Sequence, residues 1–528
     1  MSTGSASIVV GGELRCDGGM VAAAHPLAAR AGVVALQAGG NAVDAAVATA
    51  LALTVVDPGN NSLGGYGGFL LFAPRDGEPT VVNFNTRAPL EATPDMFAIT
   101  PEGGVADDAN VTGYRAVGVP GVLAGLELAR ERYGRLELAR LLRPAIDLAA
   151  EGFEVNHLVA CCTAVPHLGL FPATRAVFRP EGRSLREGER LVQRDYAEIL
   201  RRIAREGPGL LYGGELGEAI VAHVRQEGGI LSMEDLASYR ATVEPASRLS
   251  YGEHVVASYP LETSGSSCVF ETLNLLEGSN LRQWGYRSVE TLELRIPAMR
   301  RAYSDRARVA ALPPGATPSY AQLADKSWTS GSSSVPAEPV DLPGGHTTHL
   351  CVVDRDRNFV ALTQTLGGQW FGSGVTVPGT GITLNCGMGL FNPQPGYRHS
   401  ILPGSPALTN MAGSVVYRRG QPWAVTGTPG ARRIISMVVG FLLGLMEHGM
   451  SPQECLAAPR IHAEGEGPVT VERSLPRPVI EELRRRGHRV GYHRWTDFYG
   501  PASAVALTEE GGILGGADPR FPGALAGY

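Results

Sequence analysis

About two-thirds of the way along a chain of 528 residues, a segment almost without apolar side chains, SWTSGSSSVPAEPVDLPGGH (327 to 346), runs straight into two strand signals. Serine, proline and glycine at that density cannot build a core, so the segment reads as an exposed, mobile connector. The strand signals, TTHLCVVD and FVALTQTL, flank the turn-forming Arg355-Asp356-Arg357-Asn358 and predict a β-hairpin over 347–366. A boundary therefore falls between His346 and Thr347, and Thr347 opens a strand. Elsewhere 68 glycines and 37 prolines cluster between periodic segments without forming repeats, which requires many tight loops.

Between the loops, helical signals are clear. PLAARAGVVALQ (26 to 37) opens on a proline suited to the first helical position and stops before Gly39-Gly40. AVDAAVATALALTVV (42 to 56) follows with Asn41 as N-cap and breaks at Asp57-Pro58-Gly59. Four glycines in NNSLGGYGGFLLF then precede a short apolar strand, a pattern that forms a plain turn or brings backbone close to something else. From 120 to 245 the segments GVLAGLELARERYG, LELARLLRPAIDLAAEG and QRDYAEILRRIAREG repeat apolar residues every three or four positions and predict scaffold helices.

Composition narrows the function. A net charge of −6, with 46 basic against 52 acidic residues and no basic block, argues against nucleic acid as a partner. The apolar stretch from Val438 to Met446 is far below the roughly 20 residues needed to span a bilayer. Met1 to Leu14 has neither a positive start nor a long apolar run, so the expected compartment is the cytoplasm. Seven cysteines without paired spacing argue against a disulfide framework and a zinc site, and read as core thiols.

A threonine hydroxyl is a weak nucleophile until a base takes its proton, and the α-amine of the same residue serves once the preceding peptide bond is cut. That amine titrates near 8, which suits neutral pH. Thr347, behind its Gly-Gly-His tail, fits that chemistry. A second candidate element is TPGARRIISMVVGFLLGLM, where a Pro-Gly turn leads into an apolar helix. First-turn N–H groups at Gly430 and Ala431 would lack intrahelical partners and be free to hold an oxyanion.

Eight phrases in fixed order carry a family resemblance: GGNAVDAAVATALAL (39 to 53), LGGYGGFLL (63 to 71), VGVPGVLAGL (117 to 126), GGILSMEDLASYRA (228 to 241), TTHLCVVD (347 to 354), PGTGITLN (378 to 385), GTPGARRIIS (427 to 436) and ADPRFPGALAGY (517 to 528). With these the chain resembles the γ-glutamyltranspeptidase family of N-terminal-nucleophile hydrolases. The resemblance implies an α/β (α+β) fold, a four-layer αββα sandwich, made as one precursor that cuts itself between His346 and Thr347. Residues 1–346 would form the large subunit and 347–528 the small subunit carrying the nucleophile, together one domain. It implies Thr347 as nucleophile, Thr365 as the assisting hydroxyl, Thr348 and His349 as motif neighbours, and Gly430 with Ala431, where the family has two glycines, as oxyanion donors. Neither metal nor organic cofactor is implied; the partners are a small amide substrate and the chain's own two pieces, and a homo-oligomer of the processed heterodimer is compatible with it.

The substrate positions depart from the family pattern. Asn85 stands where the family arginine clamps a carboxylate, and a neutral amide does not replace a bidentate cation; Arg87 is the nearest substitute. The ammonium acceptors are matched by Gly367, Gly387 and Leu390, none of which can accept, while Thr409 and Asn410 stand in for two serines of the carboxylate site. LETSGSSCVF (261 to 270) also differs from the family's Ser-Ser-Gly-Gly loop. A pocket that has lost its cation-binding side suits a carboxylate without an α-amine. The first expectation is thus a Thr-dependent amidohydrolase acting on a small, oxamate-like amide through an acyl-enzyme on Thr347. The alternative is a true glutathione hydrolase and γ-glutamyltransferase. A third reading, an inactive scaffold or binding protein, is opposed by the intact Thr347.

Overall fold

The computed structural model describes residues 6–328, 346–493 and 500–528. Most of the connector expected at 327–346 lies outside the described residues. Helix Pro26–Gln37 starts on its proline, with His25 Nδ1 accepting the Leu27 N–H at 3.2 Å. Helix Ala42–Val56 is locked by a reciprocal capping box between Asn41 and Asp44, and all of its residues are buried. A helix that is apolar on every side must be enclosed on every side, and this one lies under the main sheet. The three scaffold helices form at Val122–Tyr133, Leu138–Glu151 and Arg194–Glu206, as the periodicity predicts.

Two sheets make the centre. The larger, antiparallel, runs in the order Ser7–Val10, Ala524–Gly527, Met20–Ala23, His346–Val353, Phe359–Gly367, Gly67–Ala73, Thr80–Asn83, Thr242–Pro245. The smaller runs Glu13–Cys16, Ile513–Ala517, Ser503–Leu507, Gln421–Gly427, Ser414–Arg418, His254–Ser258, Ser247–Tyr251. Side-chain alternation shows how they stack. On His346–Val353, Leu350 and Val352 enter one core with helices Pro26–Gln37 and Ala42–Val56, whereas Cys351 and Val353 enter another with Val415, Val425 and Val505 of the smaller sheet. Val416, Ala424 and Ala504 point the opposite way, into a third core with helices Gly265–Leu276 and Arg433–Met446. Helix, sheet, sheet, helix is the resulting layer order, the αββα sandwich expected from the sequence.

The predicted hairpin forms as His346–Val353 and Phe359–Gly367, one residue longer at each outer end. Glycines 67 and 68 lie inside strand Gly67–Ala73, where a β-carbon would stand 1.8 Å from the Phe84 carbonyl oxygen and 1.9 Å from that of Thr363. Of the two readings of the glycine run, close approach is the one found at these positions, and it seats this strand beside Thr365, whose register partner is Gly67. Cys162, Cys268, Cys351, Cys386 and Cys455 are buried. Among the described residues no helix is long and apolar enough to cross a membrane.

Candidate active site

Thr347 is the second residue of strand His346–Val353, where the ladder with Phe359–Gly367 is irregular between His346 and Thr348. Thr347 and Thr365 both line a small cleft, shared with Tyr66, Gly367, Leu390, Thr409, Asn410, Ala431, Arg432, His462 and Glu464. The Thr365 hydroxyl donates to the His346 carbonyl oxygen at 2.6 Å and accepts the Gly367 N–H at 2.9 Å. The His346–Thr347 peptide bond therefore has its carbonyl polarised by a fixed donor, with the Thr347 side chain beside it in the cleft.

His349 and Thr348 take no part in that cleft. His349 is buried between the sheets, with Nδ1 bonded to Thr363 Oγ1 at 2.8 Å and its ring against Gly427. Burial pushes its pKa down to about 3, so it is a neutral core residue. Thr348 is fully buried on the other face, beside Asp57.

The oxyanion segment corrects the sequence expectation in one respect. The helix begins at Arg433, with Arg432 as N-cap, so Gly430 and Ala431 precede the first turn. Both have positive φ, 139° and 53°, and the left-handed turn carries Ala431 into the cleft wall. Alanine in this region carries strain of roughly 1–2 kcal/mol that glycine would not. Local periodicity does not register such a turn.

Of the substrate positions, Thr409 and Asn410 line the cleft, and Asn85, Arg87 and Gly387 do not. Asn85 is a buried tie, its Nδ2 donating to the Ala407 carbonyl at 2.6 Å while its backbone carbonyl accepts from the Tyr239 hydroxyl. Arg87 is exposed, and its carbonyl accepts the Val119 N–H. The Gly387 N–H is spent on Asn385 Oδ1. Gly367 is held at φ 128°, where a β-carbon would meet Cys386 Sγ at 2.4 Å, so no side-chain acceptor can occupy that position.

The charged groups of the cleft come from elsewhere. Arg306, on the long helix Val289–Ala311, stands behind the cleft wall, donating through Nη2 to the lining Asn410 Oδ1 at 2.6 Å and through Nε to Ser264 Oγ at 2.9 Å. Ser264 in turn donates to the Thr409 carbonyl, so the 261–270 loop braces this wall. Arg432 pairs with Glu464 at 3.2 Å, and Glu464 meets His462 Nε2 at 3.3 Å, while His462 Nδ1 contacts Ser436 Oγ at 2.8 Å. Burial raises the Glu464 pKa, but His462 and Arg432 outweigh it and hold the carboxylate below its ordinary range. Burial likewise lowers His462. The Arg432-Arg433 pair directly after Ala431 was the one signal in the sequence that pointed to a charged wall.

Three comparisons place this geometry among known proteins. The family model described as Gamma-glutamyltranspeptidase matches residues 28–528. The chain is 37% identical to the Acylase ACY 1 proenzyme of Pseudomonas sp. (strain SE83), covering 96% of this chain and 92% of that one. It is 32% identical to the Glutathione hydrolase proenzyme of Escherichia coli (strain K12), covering 98% and 93%. In structure it superposes on the cephalosporin acylase from Bacillus halodurans with a TM-score of 0.87 at 28% identity, covering 98% and 97% of the two chains.

Proposed function

The chain belongs to the gamma-glutamyltranspeptidase family, and from that premise we propose an autoprocessed amidohydrolase whose nucleophile is Thr347. The precursor is cut between His346 and Thr347, giving a large subunit of 1–346 and a small subunit of 347–528. The observation that carries this reading is the arrangement at that bond: Thr365 donating to the His346 carbonyl at 2.6 Å, with Thr347 in the same cleft. After cleavage the Thr347 α-amine takes the Oγ proton, Oγ attacks the substrate amide carbonyl, and backbone N–H groups of Gly430 and Ala431 hold the oxyanion. The α-amine returns the proton to the leaving nitrogen, and water releases the acyl group.

The acyl group we propose is small and carries a carboxylate. Asn410 and Thr409 at the cleft, with Arg306 behind them holding Asn410 Oδ1, supply an anion-binding wall that does not depend on Asn85 or Arg87. An oxamate-like amide is the smallest substrate of this class. A second reading, γ-glutamyl hydrolysis and transfer, is favoured by Glu464, a carboxylate at the cleft able to accept an ammonium in place of the family's acceptors.

The test begins with denaturing mass spectrometry of fresh protein and of Thr347→Ala. Pieces of 346 and 182 residues from the wild type, and an intact variant, are expected. A wild type that stays whole while folded refutes the enzyme readings and leaves the inactive scaffold. Ammonia release from oxamate, set beside amine release from carboxyacyl amides and a γ-glutamyl anilide, then separates the substrate readings.

A further inference from the structure

The residue on the acyl side of the proposed cut has its own seat. The His346 ring stacks on the Trp370 indole with centroids 4.2 Å apart and an interplanar angle of 28°. Trp370 is itself fixed: its carbonyl accepts from His167 Nε2 at 2.8 Å, and the following N–H, of Phe371, bonds the Gly59 carbonyl at 2.7 Å. A β-carbon on Gly59 would lie 3.5 Å from the indole and 2.9 Å from Cys162, so the platform is packed from below. On the backbone, His346 pairs in register with Gly367 and its carbonyl accepts from Thr365. Ring, register and carbonyl together fix the bond at three points.

We propose that the His346 side chain, by stacking on Trp370, is a positioning residue for autocleavage, and that an aromatic ring at this position is required for efficient processing. The proposal rests on the autocleavage reading above. In that step a bond forms between Thr347 Oγ and the His346 carbonyl carbon, the His346–Thr347 C–N bond breaks, and the hydroxyl proton ends on the Thr347 nitrogen. Water then splits the ester, leaving His346 with a free carboxyl group and restoring the Thr347 hydroxyl. The reaction needs Oγ held near its target carbon, and rotation of the acyl side about the His346 backbone works against that. Burial, and secondarily His167, push the His346 pKa down to about 3, so the ring meets the indole as a neutral π-system. Shape rather than charge is what the seat selects.

The experiment follows conversion of newly synthesised full-length precursor to its two pieces by denaturing mass spectrometry, for wild type, His346→Ala, His346→Phe and Trp370→Ala, with circular dichroism to confirm folding. Loss of the stack is expected to slow conversion by about three- to tenfold in His346→Ala, with Trp370→Ala slowed similarly and His346→Phe within about twofold of wild type. Equal rates for wild type and His346→Ala overturn the positioning role while leaving autocleavage intact. A His346→Phe precursor as slow as His346→Ala overturns it in favour of an imidazole-specific role. A wild type that never converts removes the autocleavage reading, and this proposal with it.

Discussion

Replacing Thr365 with valine removes one hydroxyl and almost no volume, at a position that is 1% exposed. Two hydrogen bonds go with it: the donation to the His346 carbonyl at 2.6 Å and the acceptance of the Gly367 N–H at 2.9 Å. A buried backbone group left unpaired costs about 1–3 kcal/mol, so the folded precursor loses stability of that order and remains folded. The kinetic effect is larger in proportion. A donor aimed at a carbonyl that becomes an oxyanion is worth about 2.7–4 kcal/mol in the transition state, whereas a ground-state hydrogen bond nets about 1 kcal/mol. The difference of about 2–3 kcal/mol corresponds to a rate loss of roughly 30- to 150-fold. Thr365→Ser keeps the hydroxyl and is expected to process within a few-fold of wild type. The assay is the time course of the intact mass after synthesis, with urea unfolding of Thr347→Ala and of the Thr347→Ala, Thr365→Val double variant to read the stability term separately. Wild-type processing by Thr365→Val refutes the reasoning, because the 2.6 Å contact would then have no part in the step.

Four further outcomes are expected. Arg306→Gln frees Asn410 Oδ1 from its 2.6 Å charged partner and is expected to raise KM for carboxylate-bearing acyl amides by about tenfold with kcat changed little, as steady-state kinetics will show. Ala431→Gly relieves left-handed strain at φ 53° but gains chain entropy in the unfolded state, so stability by denaturant titration is expected to move by less than about 1 kcal/mol. Ala431→Val, β-branched in the same turn, is expected to lose most activity in the acyl-amide assay. Glu271 is buried beside Asp305; burial first and that neighbour second push its carboxyl from an ordinary 4.5 up to about 9. The folded state thus keeps a proton that the unfolded chain gives up, so this group's stability is whole below about pH 4.5 and is lost as pH rises toward 9. Glu271→Gln should flatten that slope and stabilise the protein most at alkaline pH, read as unfolding midpoints from pH 5 to 9; parallel curves would contradict it.

What the sequence determined by itself was local and periodic. Pro26, Asn41 and the spacing of apolar residues place the helices at Pro26–Gln37 and Ala42–Val56, because caps and 3.6-residue periodicity act over a few neighbours. The hairpin followed from two apolar runs and a turn, and the connector before it set Thr347 at a strand start. The family resemblance extended this to Thr347, Thr365, Thr409 and Asn410, which the fold brings to one cleft. The tertiary structure decided the rest. Asn85 and Arg87 lie close in sequence to strand residues that matter, yet one is tied to the Ala407 carbonyl and the other faces solvent. The charges that do face the cleft, Arg432 and Glu464, and Arg306 behind Asn410 come from three distant segments brought together by stacking of the second sheet and its helices. No spacing rule links such positions, because their distance depends on how layers pack rather than on how the chain turns. The same holds for the left-handed turn at Ala431 and for His346 on Trp370: each is imposed by surroundings that the local sequence does not encode.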